Sequence, residues 1–292
     1  MKRIYLKTAC IFIALATLNS CNNDTENVNP ADNNDEISAE VIQKMKEVNF
    51  NTDYIKKVSF KNLNGVIENV YEIEGDVTIS HEELMNTGTQ EETSQKGTNK
   101  ASRQYRTYNL VSAPRTIRVV GYTGGANALS ATARTGLSYA VNNYNALNLT
   151  IKMELVFGTQ FNDSDIVVYR TTDTNDVPAD GIRGRAEFPR SNGLPGHWVR
   201  INAGANNSSD DQIIEGLMTH EIGHAFGLRH TDWNTRQSCG QSGEAADPVG
   251  AVFIPGTAGA SNDPSSIMNA CFPGWVQGEL SNYDKIALQY IY

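Results

Sequence analysis

The pattern of hydrophobic and polar positions changes several times along the chain, and each change marks the start of a new segment. An apolar run at 9–18 follows Lys2, Arg3 and Lys7. It is too short to span a bilayer, so 1–20 is predicted to be a secretory signal peptide. Residues 21–37 are rich in Asn and Asp and offer almost nothing to bury, which predicts a disordered tether.

A small N-terminal unit is predicted at 38–85. Its first residues have apolar positions at helical spacing, and residues 66–79 alternate as one or two strands around Glu74-Gly75-Asp76, followed by a second helix. So short a unit cannot hold much of a core on its own. Residues 86–104 contain no apolar residue larger than alanine, and they are predicted to form an exposed linker that proteases can reach.

The remaining residues, 105–292, have the size of one domain and mix helical and strand periods. A first strand, a long amphipathic helix and a second strand would form a right-handed crossover, which makes the two strands parallel. A Gly-, Pro- and Asp-rich surface loop is expected before the last strand, and Ser209 and Gln212 are expected to cap the helix that follows. The predicted elements are strands at 116–120, 150–157, 166–169 and 197–202, a helix at 129–147 and a loop at 173–196. Together they predict an α+β fold.

One stretch carries the chemistry, and it reads His220-Glu221-Ile222-Gly223-His224-Ala225-Phe226-Gly227-Leu228-Arg229-His230. On a helix, His220 and His224 lie one turn apart on the same face, so both can bind one metal ion with Glu221 beside them. Gly227 can adopt the left-handed conformation that ends the helix and turns the chain back, which lets His230 join them. Three neutral histidines leave one tetrahedral position on zinc for water, which is typical of a catalytic site.

The spacing His-Glu-x-x-His-x-x-Gly-x-x-His resembles that of the metzincin zinc endopeptidases, and the wording HEIGH resembles the bacterial HEIGH metallopeptidases, the M57 family. The resemblance implies a zinc-dependent metallopeptidase with a twisted mixed sheet, a zinc-site helix, a Met-turn and a C-terminal helix. Ser266-Ile267-Met268-Asn269 matches the Met-turn, and 280–291 resembles the last helix. Some members carry a tyrosine ligand two residues after the methionine; here that residue is Ala270, so no tyrosine ligand is implied.

The resemblance also implies a mechanism and a substrate position. Zinc would acidify a bound water molecule, with Glu221 as the general base that later protonates the leaving amine of a peptide or protein substrate. In the family, the strand before the zinc helix is the sheet edge along the cleft, where a peptide adds as a further strand. The residues expected to pair with substrate are Trp198, Val199, Arg200, Ile201 and Asn202. Residues 269–275 are expected to wall the pocket after the cut.

The cysteines indicate export. Leu18-Asn19-Ser20-Cys21 resembles the lipobox of bacterial lipoproteins, in which the cysteine is lipidated; plain secretion is the alternative. The lipid on Cys21 would anchor the protein at the outer membrane or cell surface, with later release left open. Cys239 and Cys271 would then be expected to form a disulfide in an oxidising compartment, and a free pair is the alternative.

The N-terminal unit contains a segment that could keep the enzyme inactive until it is removed. Ile73-Glu74-Gly75-Asp76-Val77 weakly resembles the Phe-x-Gly-Asp segment of astacin propeptides, in which the aspartate occupies the metal. The resemblance implies that Asp76 caps zinc until cleavage between Lys100 and Arg106 releases the segment. A Gly-Asp turn between two strands, with a solvated aspartate, is the alternative.

Composition narrows the remaining function classes. A net charge of −9 with no basic cluster argues against nucleic-acid binding. Asp173, Asp176 and Asp180 could hold calcium, but a solvated acidic loop explains them as well, and no calcium site is assigned. A non-catalytic surface lipoprotein that uses zinc to shape a binding surface is a rival, and the intact Glu221 argues against it. A zinc hydrolase that acts on a non-protein amide stays open.

Overall fold

Strands and helices follow one another in an order close to the one that the hydrophobic pattern predicts. The computed structural model describes residues 37–53, 55–88, 104–233, 235–241, 251–257, 263–271 and 278–292. The predicted signal peptide, nearly all of the tether and most of the linker lie outside the described residues. No helix within these ranges is long and apolar enough to cross a membrane.

The described residues form helices, strands and short single-turn helices, with these bounds. The α-helices are α1 (Ala39–Glu47), α2 (His81–Asn86), α3 (Ala131–Asn145), α4 (Ala203–Asn206), α5 (Asp211–Ala225) and α6 (Asn282–Ile291). The strands are β1 (Lys56–Lys61), β2 (Ile67–Ile73), β3 (Val77–Ser80), β4 (Tyr105–Arg106), β5 (Arg115–Tyr122), β6 (Ile151–Gly158), β7 (Ile166–Arg170), β8 (Gly184–Glu187), β9 (Trp198–Ile201), β10 (Leu228–Arg229) and β11 (Val252–Phe253). Two 3₁₀ turns lie at Gly125–Asn127 and Gln237–Cys239.

One mixed sheet organises the fold. Its eight strands lie in the order β1-β2-β3-β8-β9-β7-β5-β6, and a smaller sheet has the order β10-β4-β11. Strands β5, β6, β7 and β9 run parallel to one another, while β8 runs antiparallel to β9. The predicted α+β class is confirmed, with helices packed on a mixed sheet.

The first two strands of the predicted crossover are parallel, as expected. β5 and β6 are parallel, with Val119 opposite Leu155, and α3 connects them. Helix α3 begins after Ser130, whose hydroxyl accepts a hydrogen bond from the Ala133 amide at 3.1 Å. Its buried face joins the main hydrophobic core, where it packs against α5. The packing of α3 against α5 fixes the position of the helix that carries the HEIGH sequence.

The N-terminal strands belong to the same sheet as the rest of the chain. β3 pairs in parallel with β8, with Val77 opposite Ala186 and Thr78 opposite Glu187. The sequence predicted a separate unit at 38–85; instead, residues from Glu36 to Tyr292 form one compact unit. The physical reason is that β8 would otherwise present unpaired backbone groups at a sheet edge, and β3 satisfies them.

The predicted substrate strand is not an edge strand. β9 pairs with β7 on one side, where Val168 faces Val199, and with β8 on the other, where Arg185 faces Arg200. The expectation that 198–202 forms the sheet edge along the cleft is therefore wrong. Strand β8, which lies inside the predicted loop at 173–196, separates β9 from the N-terminal strand β3. Because β8 is short and contains a glycine and an arginine, it lacks the apolar alternation that would have revealed it.

Two local boundaries also differ from the predictions. Helix α5 is capped by Asp210, whose carboxylate accepts hydrogen bonds from the amides of Gln212 and Ile213, and not by Ser209. The predicted exposed linker ends before residue 104, because Gln104 is buried. The Gln104 side-chain amide donates to Asp284 at 2.6 Å.

Buried arginines connect the N-terminal strands to the rest of the sheet. Arg200 lies 2.9 Å from the Asp176 carboxylate and donates to the Thr78 hydroxyl at 3.1 Å. Arg185 donates to Glu72 at 2.7 Å. Removing one partner of such a buried pair typically costs about 3–5 kcal/mol. Asp176, one of the three aspartates considered for calcium, is therefore paired with arginine here.

Candidate metal centre

Helix α5 and the turn after it bring three imidazoles together. His220 and His224 lie on one face of α5, with their Nε2 atoms 3.0 Å apart. The helix ends at Ala225, and Gly227 has φ +94°, a left-handed conformation that a residue with a Cβ rarely adopts. The chain then returns through β10, so that the Nε2 atom of His230 lies 3.2 Å from His224 and 3.3 Å from His220.

Backbone carbonyls orient two of these rings. The Nδ1 atom of His220 donates to the Ile267 carbonyl at 2.6 Å, and that of His224 donates to the Leu228 carbonyl at 2.8 Å. A neutral ring that carries its proton on Nδ1 leaves the Nε2 lone pair free for a metal ion. The third ring, His230, has its Nδ1 atom 3.5 Å from the Glu74 carboxylate.

The three Nε2 atoms have the spacing that zinc requires. Zinc–nitrogen bonds of about 2.0–2.1 Å at tetrahedral angles place two ligand nitrogens about 3.3 Å apart. The observed separations between His220, His224 and His230 are 3.0, 3.2 and 3.3 Å. The donor set therefore fits a zinc ion, with one tetrahedral position left for a fourth ligand.

Asp76 lies close to all three of these nitrogens and could supply that fourth ligand. Its Oδ2 atom is 3.0 Å from the Nε2 atom of His230 and 3.3 Å from that of His220, and its Oδ1 atom is 3.7 Å from that of His224. The four side chains form a group whose ligand atoms all lie within 4.8 Å of one another. The turn between two strands was expected, but its aspartate faces the histidines and its side chain is only 19% exposed.

The charge of Asp76 prepares this group for a cation. Burial alone would raise the pKa of Asp76, but the charge of His230 and hydrogen bonds to His220 and His230 outweigh it and hold that pKa well below its ordinary value. Burial likewise lowers the pKa of His220, yet the hydrogen bond and charge of Asp76 raise it to about 9. A carboxylate that stays ionised beside three imidazoles favours positive charge at their centre.

Glu221 lies next to the first histidine and is buried. Burial raises the pKa of its carboxyl well above the ordinary value; the charge of His220 opposes this rise and that of Asp76 adds to it. Its Oε2 atom has no hydrogen-bond partner among the described residues. The carboxylate packs against Gly184 of β8, where an added Cβ would lie 2.4 Å from Oε1. Gly184 therefore leaves the space that Glu221 needs beside the histidines.

The predicted Met-turn lies beneath the histidines. Met268 is fully buried, and its Sδ atom would be 2.6 Å from a Cβ added to Gly223 of α5. The amide of Ile267 donates to Asp284 at 3.0 Å, while the Ile267 carbonyl holds His220. These contacts connect α6 to the metal-site helix through the turn.

A disulfide closes the segment after the third histidine. Cys239 and Cys271 are bonded, as the sequence predicted. The Ala270 amide donates to the carboxylate of Asp232 at 2.9 Å, which also fixes the end of the Met-turn. Of the predicted pocket wall at 269–275, residues 272–275 lie outside the described residues.

The sequence reasoning missed the ion pair between Arg229 and Glu74. Both side chains are 1% exposed, and the Arg229 guanidinium contacts one oxygen of the Glu74 carboxylate through two nitrogens, Nε at 2.7 Å and Nη2. One feature of the sequence could have indicated this ion pair. Arg229 is a charged residue in the otherwise uncharged segment that follows His224, and a guanidinium buried there requires a carboxylate partner. Nothing in the spacing identifies Glu74 as that partner.

The residues predicted to bind substrate lie within the sheet and not at its edge. Trp198, Val199, Arg200, Ile201 and Asn202 are all buried, because β8 covers β9. His197 is outside the metal group and its Nδ1 atom lies 3.0 Å from the Asp165 carbonyl.

Comparison with known proteins gives one family and a set of solved structures. The profile of a peptidase M57 family, described as "Dual-action HEIGH metallo-peptidase", matches residues 71–292. A structure of myroilysin is 17% identical, covering 63% of this chain and 96% of that chain, with a TM-score of 0.38. A crystal structure of myroilysin is also 17% identical, covering 62% and 86%, with a TM-score of 0.37. No curated protein sequence matches the chain.

Proposed function

The chain belongs to the HEIGH metallopeptidase family, and we propose that it is an exported zinc endopeptidase held latent by its own N-terminal segment. Membership makes it a zinc-dependent metallopeptidase that acts on peptide or protein substrates. The observation that supports the rest of the proposal is the convergence of His220, His224, His230 and Asp76 on one point. Glu221 adjoins this group.

The three histidines are proposed as the zinc ligands. When bound, zinc supplies a Lewis acid that polarises the scissile carbonyl and lowers the pKa of water. Two of the rings are already oriented by carbonyl acceptors, so little rearrangement is needed to bind the ion. Met268 and Ile267 support the helix from below.

Glu221 is proposed as the general base. It takes a proton from the attacking water molecule and returns it to the nitrogen of the leaving amine, which lets the carbon–nitrogen bond break. Its burial favours this role, because the raised pKa of the carboxyl makes it a stronger proton acceptor than an exposed glutamate. The space at Gly184 leaves room for its carboxylate.

Glu221→Gln tests the catalytic assignment. The amide keeps the shape of the side chain but cannot accept the proton, so kcat on a casein-derived peptide should fall by about 10²–10⁴-fold. Zinc content, measured by atomic absorption on the processed protein, should stay at the wild-type level. Full hydrolytic activity in this variant would contradict the role of Glu221. The same inactive variant, crystallised with a peptide, should show substrate paired with β8 and not with 198–202.

Latency is proposed to follow from two contacts of one segment. Asp76 occupies the fourth ligand position, and β3, which follows it directly, pairs with the β8 edge. Substrate needs both positions, one for its carbonyl and one for its backbone. Removal of the segment would require cleavage before Gln104, because Tyr105 and Arg106 are paired within a sheet. The proposed cleavage range therefore shortens from 100–106 to 100–103.

Asp76→Ala tests latency in the uncleaved chain. Loss of the carboxylate should open the fourth position and raise peptide hydrolysis at least several-fold, although β3 would still hinder substrate. Asp53→Ala is the matched control, because Asp53 is an exposed aspartate of the same segment. Hydrolysis by uncleaved wild type at the rate of the processed form would rule the switch out.

Export with a lipid on Cys21 is proposed from the sequence alone, since that region lies outside the described residues. Cells grown with a labelled fatty acid should incorporate it into the wild type and not into Cys21→Ser. Equal labelling of both proteins, or of neither, would contradict the anchor and leave plain secretion.

A further inference from the structure

Arg229 is held almost entirely by the N-terminal segment. Its guanidinium contacts the Glu74 carboxylate through Nε and Nη2, and Nη1 donates to the Asn49 carbonyl at 2.5 Å. Its central carbon lies 5.2 Å from the centre of the Phe50 ring and 4.8 Å from that of Trp233. Of these partners, only Trp233 belongs to the chain beyond the predicted linker.

Removal of the segment would leave the guanidinium without its acceptors. Among the contacts within the described ranges, it would keep only the Trp233 ring. An arginine cannot lose its charge at physiological pH, and burial without a counter-charge is unfavourable. A planar guanidinium held against an aromatic ring therefore presents a preformed site for another carboxylate.

The position of Glu74 places that site beside the metal centre. Its Oε2 atom lies 3.5 Å from the Nδ1 atom of His230, while Asp76 contacts the Nε2 atom of the same ring. Glu74 and Asp76 are separated only by Gly75, whose φ is +92°. A peptide with its scissile carbonyl at the position of Asp76 would thus place a side chain from a nearby residue close to Arg229.

We propose that Arg229 determines specificity in the processed enzyme by binding an acidic side chain within two residues of the scissile bond. Glu74 occupies this site in the uncleaved chain in the manner of a substrate carboxylate. The inference rests on the proposed function, since it requires both peptide hydrolysis and departure of the segment. It adds the substrate class, peptides with Asp or Glu near the cut, which the family does not supply.

The test compares chains that differ at residue 229 alone after processing. Glu74→Gln serves as the matched background, because Glu74 leaves with the segment and the processed enzyme is then the wild type. The double variant Glu74→Gln/Arg229→Gln removes both charges of the buried pair, which spares the uncleaved chain an unpaired charge. Each full-length protein is cleaved by limited proteolysis, and size-exclusion chromatography confirms separation of the segment.

The readout is the ratio of the kcat/KM values for two quenched fluorescent peptides that have the same sequence except at one position, which is Glu in one peptide and Gln in the other. The Glu position is scanned through two residues on each side of the cut. At one position the wild type and Glu74→Gln should both prefer Glu by about tenfold or more, chiefly through KM, and salt should weaken the preference. The ratio should fall to about one in Glu74→Gln/Arg229→Gln. Glu74→Gln/Arg229→Lys should retain part of the preference, because lysine keeps the positive charge but lacks the planar guanidinium that can bind both carboxylate oxygens.

Each outcome separates this inference from the proposed function. A processed wild type that cleaves Glu and Gln peptides equally at every position overturns the role of Arg229 and leaves the peptidase intact. A segment that stays bound after cleavage also overturns it, because Arg229 would never meet substrate. Cleavage of neither peptide would contradict the proposed function itself. If this double variant failed to fold, an equal wild-type ratio would still overturn the role of Arg229, and Glu74→Gln/Arg229→Lys would test whether a Glu preference depends on residue 229.

Discussion

The contact between the Asp76 carboxylate and three histidine rings is the interaction on which the arrangement of the chain depends. A partly buried carboxylate is stable there only because positive charge faces it, and its oxygen adds a fourth potential metal ligand to the three histidine nitrogens. The residues and strands around Asp76 hold it in this position. Gly75 makes the turn, β2 and β3 form its two arms, and Arg229 holds Glu74 at its start. The metal centre and the N-terminal segment therefore form one structure.

The N-terminal segment also covers a strand edge that would otherwise be unpaired. The β8 strand has one neighbour, β9, from its own part of the chain, and its other edge is covered by β3. A free edge is a surface to which an extended peptide can add, so under the proposed latency the strand that protects this edge would also occupy the place of a substrate. Buried ion pairs, such as that between Arg185 of β8 and Glu72 of β2, connect the N-terminal strands to β8. Losing either partner would leave an unpaired buried charge and would cost about 3–5 kcal/mol.

Local sequence signals predicted the parts of this structure that are set by spacing. Helix α5, the turn at Gly227 and the convergence of the three histidines follow from residues within one stretch. The parallel β5 and β6 strands follow from alternation and the length of α3. Parts set by contacts distant in sequence could not be predicted. β8 has no apolar pattern because its Arg185 is buried by charge pairing, and Arg229 meets Glu74 across the whole linker. The family resemblance placed the sheet edge on β9, and nothing in the sequence of β8 indicated a strand beyond it.

A crystal structure of the uncleaved, zinc-loaded protein, with anomalous data at the zinc edge, shows directly whether Asp76 is a zinc ligand. We expect one strong peak among His220, His224 and His230, about 2.0–2.1 Å from each Nε2 atom and about 2.0–2.2 Å from an oxygen of Asp76. The strands β3 and β8 should be paired in the same crystals. Zinc bound to the three histidines with water as its fourth ligand, and Asp76 turned to solvent, would contradict the account.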